Sequence, residues 1–193
     1  MKNTAAKALS APKKLAITAM FTALTLLATS VIRIQTPTFG YIHIGDAFVL
    51  LSGFFLGPLT GGLAAGLGSA LSDLLGGYPL WVPGTFVIKF ATALTAALIY
   101  RAAAEKAKTG KGRVAWTILA GVVGEAVMVI GYYFYNVIII GISGSGFGEA
   151  GIGAAFVTSL SEIPFNIVQG AVGVVLSTLL APVFNKIARI GAD

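Results

Sequence analysis

Polar side chains recur at helical spacing within two long apolar stretches in the second half of the chain. They form two sets, Glu125, Tyr132, Asn136 and Glu162, Asn166, Gln169. The spacings are i, i+7, i+11 and i, i+4, i+7, which place each set on one face of a helix. Carboxyl, amide and phenol groups together donate and accept several hydrogen bonds, so these faces are suited to holding a small polar molecule.

A third apolar stretch contributes one cation, Lys89. An ion pair of Lys89 with Glu125 or Glu162 would be a purely structural explanation. One lysine cannot neutralise two carboxylates, however, and ionisable groups within membrane helices usually serve a function. We therefore expect Lys89 and the two polar faces to converge on a ligand site.

The residue types that catalysis usually needs are scarce. The chain has no cysteine and a single histidine, His43. It contains no Gly-x-x-x-x-Gly-Lys-Ser/Thr loop for nucleotide phosphates and no His-Glu-x-x-His zinc motif. We expect a binding or transport protein rather than an enzyme, with no metal and no cofactor.

Composition places these residues in a membrane. The 193-residue chain is 56% hydrophobic and only 10% charged, whereas soluble domains carry roughly 25% charged residues. Too few charges remain to cover a water-soluble surface, so the sequence predicts an all-α membrane protein that crosses the bilayer several times. The net charge of +6 does not indicate nucleic-acid binding, because the basic residues separate apolar runs.

Charge also predicts the topology. Eleven of the thirteen basic residues lie in three clusters, at 2–14, 101–113 and 186–189. The positive-inside rule places all three clusters and both termini in the cytoplasm, so an even number of spans must separate them. The pair Gly57-Pro58 divides one long apolar stretch into two helices, which gives six transmembrane helices in a single domain. The predicted spans are 15–32, 44–56, 59–75, 83–100, 114–140 and 156–184.

Small residues and a proline predict how the helices pack. Helix three carries small residues at four-residue spacing, Gly62, Gly66 and Ala70. This spacing favours close internal packing. Ala19 and Ala23 have the same relation on helix one, where internal packing and contact with another protein are equally open. Pro164 predicts a kink in helix six that leaves the carbonyl of Leu160 without its usual donor.

The external loops supply further candidates. Loop one, residues 33–43, is predicted to be extended and to act as a lid over an external pocket. Its lid residues are Gln35, Phe39, Tyr41 and His43. In loop three, residues 76–83, Trp81 favours stacking on a flat ligand, whereas Tyr78 favours anchoring at the membrane interface. Asp73 is a candidate ligand contact, and Asp46 fits a helix N-cap and a ligand contact equally well.

A resemblance to a known family follows from the segment between loops one and three. The residues that carry it are Ile44-Gly45-Asp46, Leu50-Leu51, Gly57-Pro58, Gly61-Gly62, Gly68 and Asp73-Leu74-Leu75-Gly76-Gly77. This segment resembles the S components of energy-coupling factor (ECF) vitamin transporters. The basic N-terminus, the six predicted spans, the basic loop between spans four and five and the polar residues of spans four to six extend the similarity over nearly the whole chain.

The resemblance implies a function and partners. S components capture a vitamin or its precursor from outside with high affinity and associate with a membrane T component and two ATPase subunits in the prokaryotic plasma membrane. Ala19 and Ala23 resemble the family's AxxxA surface for docking the T component. The ligand is expected near the external face, among helices four to six and under loop one.

Charge ranks the vitamins. Glu125, Glu162 and Asp73 outnumber Lys89, so the site should disfavour carboxylate ligands and favour a neutral or cationic heterocycle. A B6 vitamer such as pyridoxamine, or hydroxymethylpyrimidine, is expected first and riboflavin after them. Direct binding of an anion by Lys89 would reverse this ranking.

Two other functions remain open at this stage. One is a self-sufficient secondary transporter driven by protons through Glu125 or Glu162, although spans one to three and four to six show no convincing repeat of the kind common in such transporters. The other is a structural membrane subunit in which the polar faces join helices to one another.

Overall fold

The computed structural model describes residues 11–36, 40–104, 106–145 and 148–190, with side chains left out at 145, 149–150 and 185–190. Lys2 and Lys7, which belong to the first basic cluster, and Phe39 of the predicted lid lie outside the described residues. The helices are α1 (Ala11–Val31), α2 (Asp46–Leu56), α3 (Pro58–Gly76), α4 (Val82–Ile99), α5 (Gly110–Ile140), α6 (Glu149–Ser159) and α7 (Ile163–Ile190). Two short strands, β1 (Ile34–Gln35) and β2 (Tyr41–Ile42), pair antiparallel between α1 and α2.

The described residues form six helical stretches, which is the number of helices predicted from the sequence. A 3-10 turn, Leu160–Glu162, joins α6 directly to α7, so these two helices form one bent stretch. That stretch begins at Glu149 instead of Phe156, because the Gly- and Ala-rich residues predicted as loop are helical. A five-residue π-helical turn extends α4 to Ala104, and the residues that follow α5 continue as far as a non-helical kink at Gly144.

The bend in the last stretch differs in detail from the prediction. The backbone N–H of Ile163 donates to the carbonyl of Leu160 in the 3-10 turn. Pro164 therefore follows a tightened turn, and the predicted free acceptor at Leu160 is not present. The tighter i to i+3 hydrogen bond satisfies a carbonyl that an α-helical bond to Pro164 could not reach.

In the part of the chain that the structure describes, four helical stretches are long and apolar enough to cross a membrane, namely Ala11–Val31, Val82–Ala104, Gly110–Gly144 and Gly151–Phe184. The helix α3 has a different pattern. Its exposed leucines, Leu59, Leu63, Leu67 and Leu71, follow one another every four residues. Its buried face carries Gly62 and Gly66, which lie against the rings of Phe90 and Phe86 on α4. The internal packing predicted for the small residues of this helix is confirmed.

The short helix α2 lies at the centre of the fold. It packs against α1, α3, α4 and α7, and residues 46–54 are buried except for the partly exposed Phe48. The turn between α2 and α3 uses Gly57 at φ 86°, a conformation that glycine adopts without strain, and Pro58 begins α3. A helix of 11 residues is too short to cross a bilayer of about 30 Å, but here its neighbours cover it.

The approach of α2 to α4 gives a testable prediction about stability. A Cβ atom built on Gly53 would lie 2.5 Å from the backbone carbonyl oxygen of Ala93. We expect Gly53→Ala to lower the free energy of unfolding by about 1–3 kcal/mol, because two backbones would have to separate. Thermal unfolding in detergent measures the loss. Gly153 on α6 has open space around it, so Gly153→Ala should not destabilise the protein, and equal losses for both variants would contradict the packing argument.

Candidate functional site

A pocket opens beneath the β1–β2 hairpin, between that hairpin and the helix bundle. The space between its lining atoms is about 490 Å³ when the open mouth is counted. The residues that line it are Thr29, Gly40, Tyr41, His43, Asp73, Trp81, Thr85, Tyr132, Asn136, Glu162, Asn166 and Gln169. All of the second predicted polar face, and the Tyr132 and Asn136 part of the first, thus meet at one pocket.

Most of the predicted ligand contacts line this pocket, but not all of them. Lys89 and Glu125 are buried beside it and are not among its lining residues. Gln35 in the predicted lid is exposed and does not line the pocket either, whereas Tyr41 and His43 do. Sequence reasoning missed three lining residues, Thr29, Gly40 and Thr85. Threonine and glycine are common throughout the spans, so residue type alone gave no signal for them.

The lysine behind the pocket has a partner that the sequence did not predict. Lys89 forms an ion pair and hydrogen bond with Asp46, and both side chains are fully buried. Neither Glu125 nor Glu162 is its partner, so the ion pair that the sequence offered as a purely structural alternative does not form. The central position of α2 explains the difference, because it brings the first residue of that helix against the middle of α4. Asp46 is likewise not a side-chain cap of its own helix.

The ion pair belongs to a hydrogen-bonded chain that reaches the lid. Gln169 on α7 donates from Nε2 to Oδ2 of Asp46 over 2.7 Å. Its Oε1 accepts a hydrogen bond of 2.9 Å from the backbone N–H of His43. Both ends of the Gln169 amide therefore bind protein groups. This series of hydrogen bonds connects α4, α2, α7 and the end of the hairpin, and so fixes the lid relative to the floor of the pocket.

Glu125 lies close to this network. A Cβ atom built on Gly173 of α7 would be 2.8 Å from Cβ of Asp46 and 3.4 Å from Oε1 of Glu125, so one small residue adjoins both carboxyl groups. The oxygens of Glu125 form no hydrogen bond with the residues that the structure describes. Lys89 also places its ammonium 5.2 Å from the ring centre of Tyr132, which lines the pocket. The charged groups thus lie directly behind an aromatic wall.

Aromatic rings form the wall on the side of loop three. Trp81 lies 6.1 Å from Tyr132 and 5.9 Å from Tyr135, measured between ring centres. The hydroxyl of Tyr132 donates to Oγ1 of Thr85 over 3.2 Å, and that of Tyr135 donates to the carbonyl of Leu80 over 2.7 Å. Hydrogen bonds thus orient the rings, and the wall is suited to a flat ligand.

The lid hairpin is attached to the end of α3. The hydroxyl of Tyr41 donates to Oδ1 of Asp73 over 2.5 Å, and the guanidinium of Arg33 lies 4.8 Å from the centre of the Tyr41 ring. Burial, and then the charge of Asp73, raise the pKa of Tyr41 well above its ordinary value, so its hydroxyl keeps the proton that it donates. Oδ2 of Asp73 is buried and receives no hydrogen bond from the described residues. This oxygen is therefore an acceptor at the edge of the pocket.

His43 provides a prediction about pH. Burial, more than any neighbouring charge, lowers the pKa of His43 from 6.5 to about 3. As the pH falls below 6.5, His43 becomes protonated in the unfolded chain but stays neutral in the folded protein. The free energy of unfolding therefore decreases as the pH falls toward 3. We expect the lowered pKa of His43 to reduce the free energy of unfolding by about 2 kcal/mol at pH 5 relative to pH 7. Thermal unfolding of the parent and of His43→Gln at both values measures this contribution, and an equal pH response in the two proteins would contradict it.

Comparison with known proteins identifies the family. The family model of the ECF-type riboflavin transporter S component matches residues 10–186. The chain belongs to this family. The S component is also 31% identical, over 161 residues, to an uncharacterised protein of Pyrococcus woesei, with 82% of this chain and 98% of the relative covered. No function is assigned to that relative.

The fold agrees with this membership. A solved S component of a bacterial ECF transporter superimposes with a TM-score of 0.61 at 22% identity, covering 94% of this chain and 98% of the other. At this identity the match shows the S-component fold alone. The resemblance expected from the sequence is confirmed: the chain is a substrate-binding subunit of an ECF transporter, a membrane protein with a transport role and not an enzyme. S components of this kind bind a vitamin and work with a T component and ATPases.

Proposed function

We propose that this S component captures riboflavin from outside the cell, in the pocket beneath the lid, and delivers it to an ECF module. The observation that carries the proposal is the convergence of amide and carboxyl side chains with an aromatic wall around one pocket. The family name supports riboflavin as the ligand. Sequence reasoning placed pyridoxamine and hydroxymethylpyrimidine ahead of it, and both now become competitors in the test.

Charge supports a neutral ligand. Lys89 is fully buried against Asp46, so its charge is compensated before any ligand arrives, and direct capture of an anion by Lys89 loses its support. Among the described residues that line the pocket, Asp73 and Glu162 are acidic and none is a lysine or arginine. Such a lining disfavours carboxylates and phosphates. Riboflavin is uncharged at neutral pH and meets this condition.

Hydrogen-bonding capacity supports a heterocycle with carbonyl and N–H groups along one edge. Asn136 and Asn166 both line the pocket, and each amide offers donors and an acceptor. The isoalloxazine ring of riboflavin presents two carbonyls that flank an N–H, which is the complementary pattern. Trp81 and Tyr132 supply the faces against which a flat ring system packs.

The test is direct binding. Native mass spectrometry of the purified protein should show a bound mass equal to riboflavin, and flavin fluorescence should be quenched on titration without ATP. Pyridoxamine and hydroxymethylpyrimidine serve as competitors at matched concentration. If either competitor binds and riboflavin does not, that competitor would be the substrate in place of riboflavin. Absence of any bound ligand would favour a structural subunit, and proton-driven uptake into liposomes by the chain alone would favour a secondary transporter.

We further propose the topology and docking surface that this function needs. Six spans would place both termini on the cytoplasmic side, and the membrane T component would dock on helix one. Ala19 and Ala23 are both exposed on α1, so no described residue covers them, which supports contact with another protein. Leu27 and Val31 continue the same face and are 56% and 74% exposed. An apolar face with two small residues lets another helix approach closely.

Docking gives a further prediction. The double variant Ala19→Leu/Ala23→Leu should reduce co-purification with the T component at least about tenfold, because the added side chains separate the two helices. Riboflavin binding to the isolated subunit should stay unchanged. Ala126 is exposed on α5, so Ala126→Leu is the matched control and should assemble normally. Normal assembly of the double variant would exclude this face as the docking surface.

A further inference from the structure

The protein occupies two hydrogen-bonding groups of His43, its backbone N–H and its ring Nδ1. Its backbone N–H donates to Oε1 of Gln169 over 2.9 Å. Its ring Nδ1 accepts a hydrogen bond of 3.0 Å from the backbone N–H of Gly45, which immediately precedes α2. Tyr41 packs beside the ring, with 5.6 Å between ring centres. These contacts fix both the position and the rotation of the imidazole.

The hydrogen bond from Gly45 determines which ring nitrogen carries the proton. A nitrogen that accepts a hydrogen bond has no proton of its own, so a neutral imidazole held in this way carries its proton on Nε2. The side chain is 9% exposed and belongs to the pocket lining. Within the described part of the chain no residue accepts a hydrogen bond from Nε2.

We propose that His43 is a specificity-determining residue whose Nε2–H donates a hydrogen bond to a carbonyl oxygen or an unprotonated ring nitrogen of the bound vitamin. This inference rests on the proposed function of the pocket and adds a donor from the lid to the contacts made by α5 and α7. Because the protein fixes the donor before the ligand arrives, binding requires no reorientation of the ring. A ligand that presents an N–H or a cation to the lid would meet a second donor there and be rejected.

The single histidine makes the proton position directly measurable. Protein labelled with ¹⁵N only in histidine gives one pair of ring nitrogen signals, since the chain contains one histidine. In the unliganded protein we expect the neutral form with the proton on Nε2. A positively charged ring at neutral pH, or a proton on Nδ1, would overturn the inference without any reference to ligand binding.

Saturation with riboflavin extends the test. We expect the Nε2 and Nε2–H signals to shift on binding, while Nδ1 changes little because Gly45 keeps its hydrogen bond. Unchanged Nε2–H signals in a sample whose flavin fluorescence shows full occupancy would overturn the inference and leave the proposed function intact. If riboflavin does not bind, the same spectra are recorded with pyridoxamine and with hydroxymethylpyrimidine. Failure of all three to shift the signal would overturn the inference, and failure of all three to bind would overturn the proposed function as well.

Two substitutions separate the two ends of the ring. Gln places an amide nitrogen near the position of Nε2, whereas Asn places its polar atoms near Nδ1 only. We expect His43→Asn to weaken riboflavin binding about tenfold or more, and His43→Gln to stay within about threefold of the parent. Equal weakening by both would indicate a structural role, and parent-like binding by His43→Asn would exclude the donor. Thermal unfolding of both variants shows whether the fold is retained, and the spectra of the parent protein test the inference independently of either variant.

Discussion

Lys89→Met is expected to destabilise the S component by about 3–5 kcal/mol, because it leaves Asp46 as an unpaired buried charge. Both partners are fully buried, and Asp46 is the first residue of the central helix α2. The expected measurement is a large loss of thermal stability in detergent and a low yield of folded protein. Removal of the charge at this position thus affects the whole bundle and not only the pocket.

A double variant distinguishes charge pairing from packing. Asp46→Asn in the Lys89→Met background removes the unpaired charge and keeps an amide oxygen that can still accept the hydrogen bond from Gln169. We expect the double variant to recover most of the stability lost by the single one. Val87 lies on α4 with Lys89 and is 62% exposed. The control variant Val87→Ala should therefore change stability by less than about 0.5 kcal/mol. An equally unstable double variant would show that the volume of the lysine side chain is what matters.

The sequence predicts the helices of this fold well and its tertiary pairs poorly. Apolar length and the break at Gly57-Pro58 depend on local chemistry, and α2 does end at Leu56 where that break was predicted. The pairing of Lys89 with Asp46 joins residues 43 positions apart. No spacing rule relates them, because the contact depends on where the bundle places α2. A polar residue at the start of a helix, such as Asp46, is also well explained as a helix cap. From the sequence alone this local role is as plausible as a long-range ion pair.

The pocket residues show the same difference between local features, which the sequence predicts, and long-range contacts, which it does not. Helical spacing brings Tyr132 and Asn136, and Glu162 with Asn166, to the predicted site, because residues on one face of a helix stay together in any packing. Lys89 and Glu125 also lie on apolar helices, but their side chains are buried behind the pocket. Periodicity does not distinguish residues that line a cavity from residues in the layer beneath it. Whether each lining residue contacts the vitamin stays a prediction.

Gln169 illustrates why position in the pocket does not make a residue the best test of binding. Its amide accepts from the backbone of His43 and donates to Asp46. Truncation of Gln169 would leave a buried N–H and a carboxylate oxygen without partners, so the lid and the ion pair would change together. A loss of binding in such a variant would therefore report on the fold as much as on the ligand.

Asn166 avoids this ambiguity, and Asn166→Ala is expected to weaken riboflavin binding about 10- to 100-fold. Its side chain lines the pocket, is 8% exposed, and forms no hydrogen bond with the residues that the structure describes. Truncation thus removes a donor and an acceptor for the ligand without leaving a protein group unpaired. Flavin fluorescence titration gives the affinity, and thermal unfolding of the unliganded protein should match the parent to within about 1 kcal/mol. The neighbouring Ile167 is 54% exposed, so Ile167→Ala should bind riboflavin like the parent, and parent-like affinity in Asn166→Ala would place the ligand away from α7.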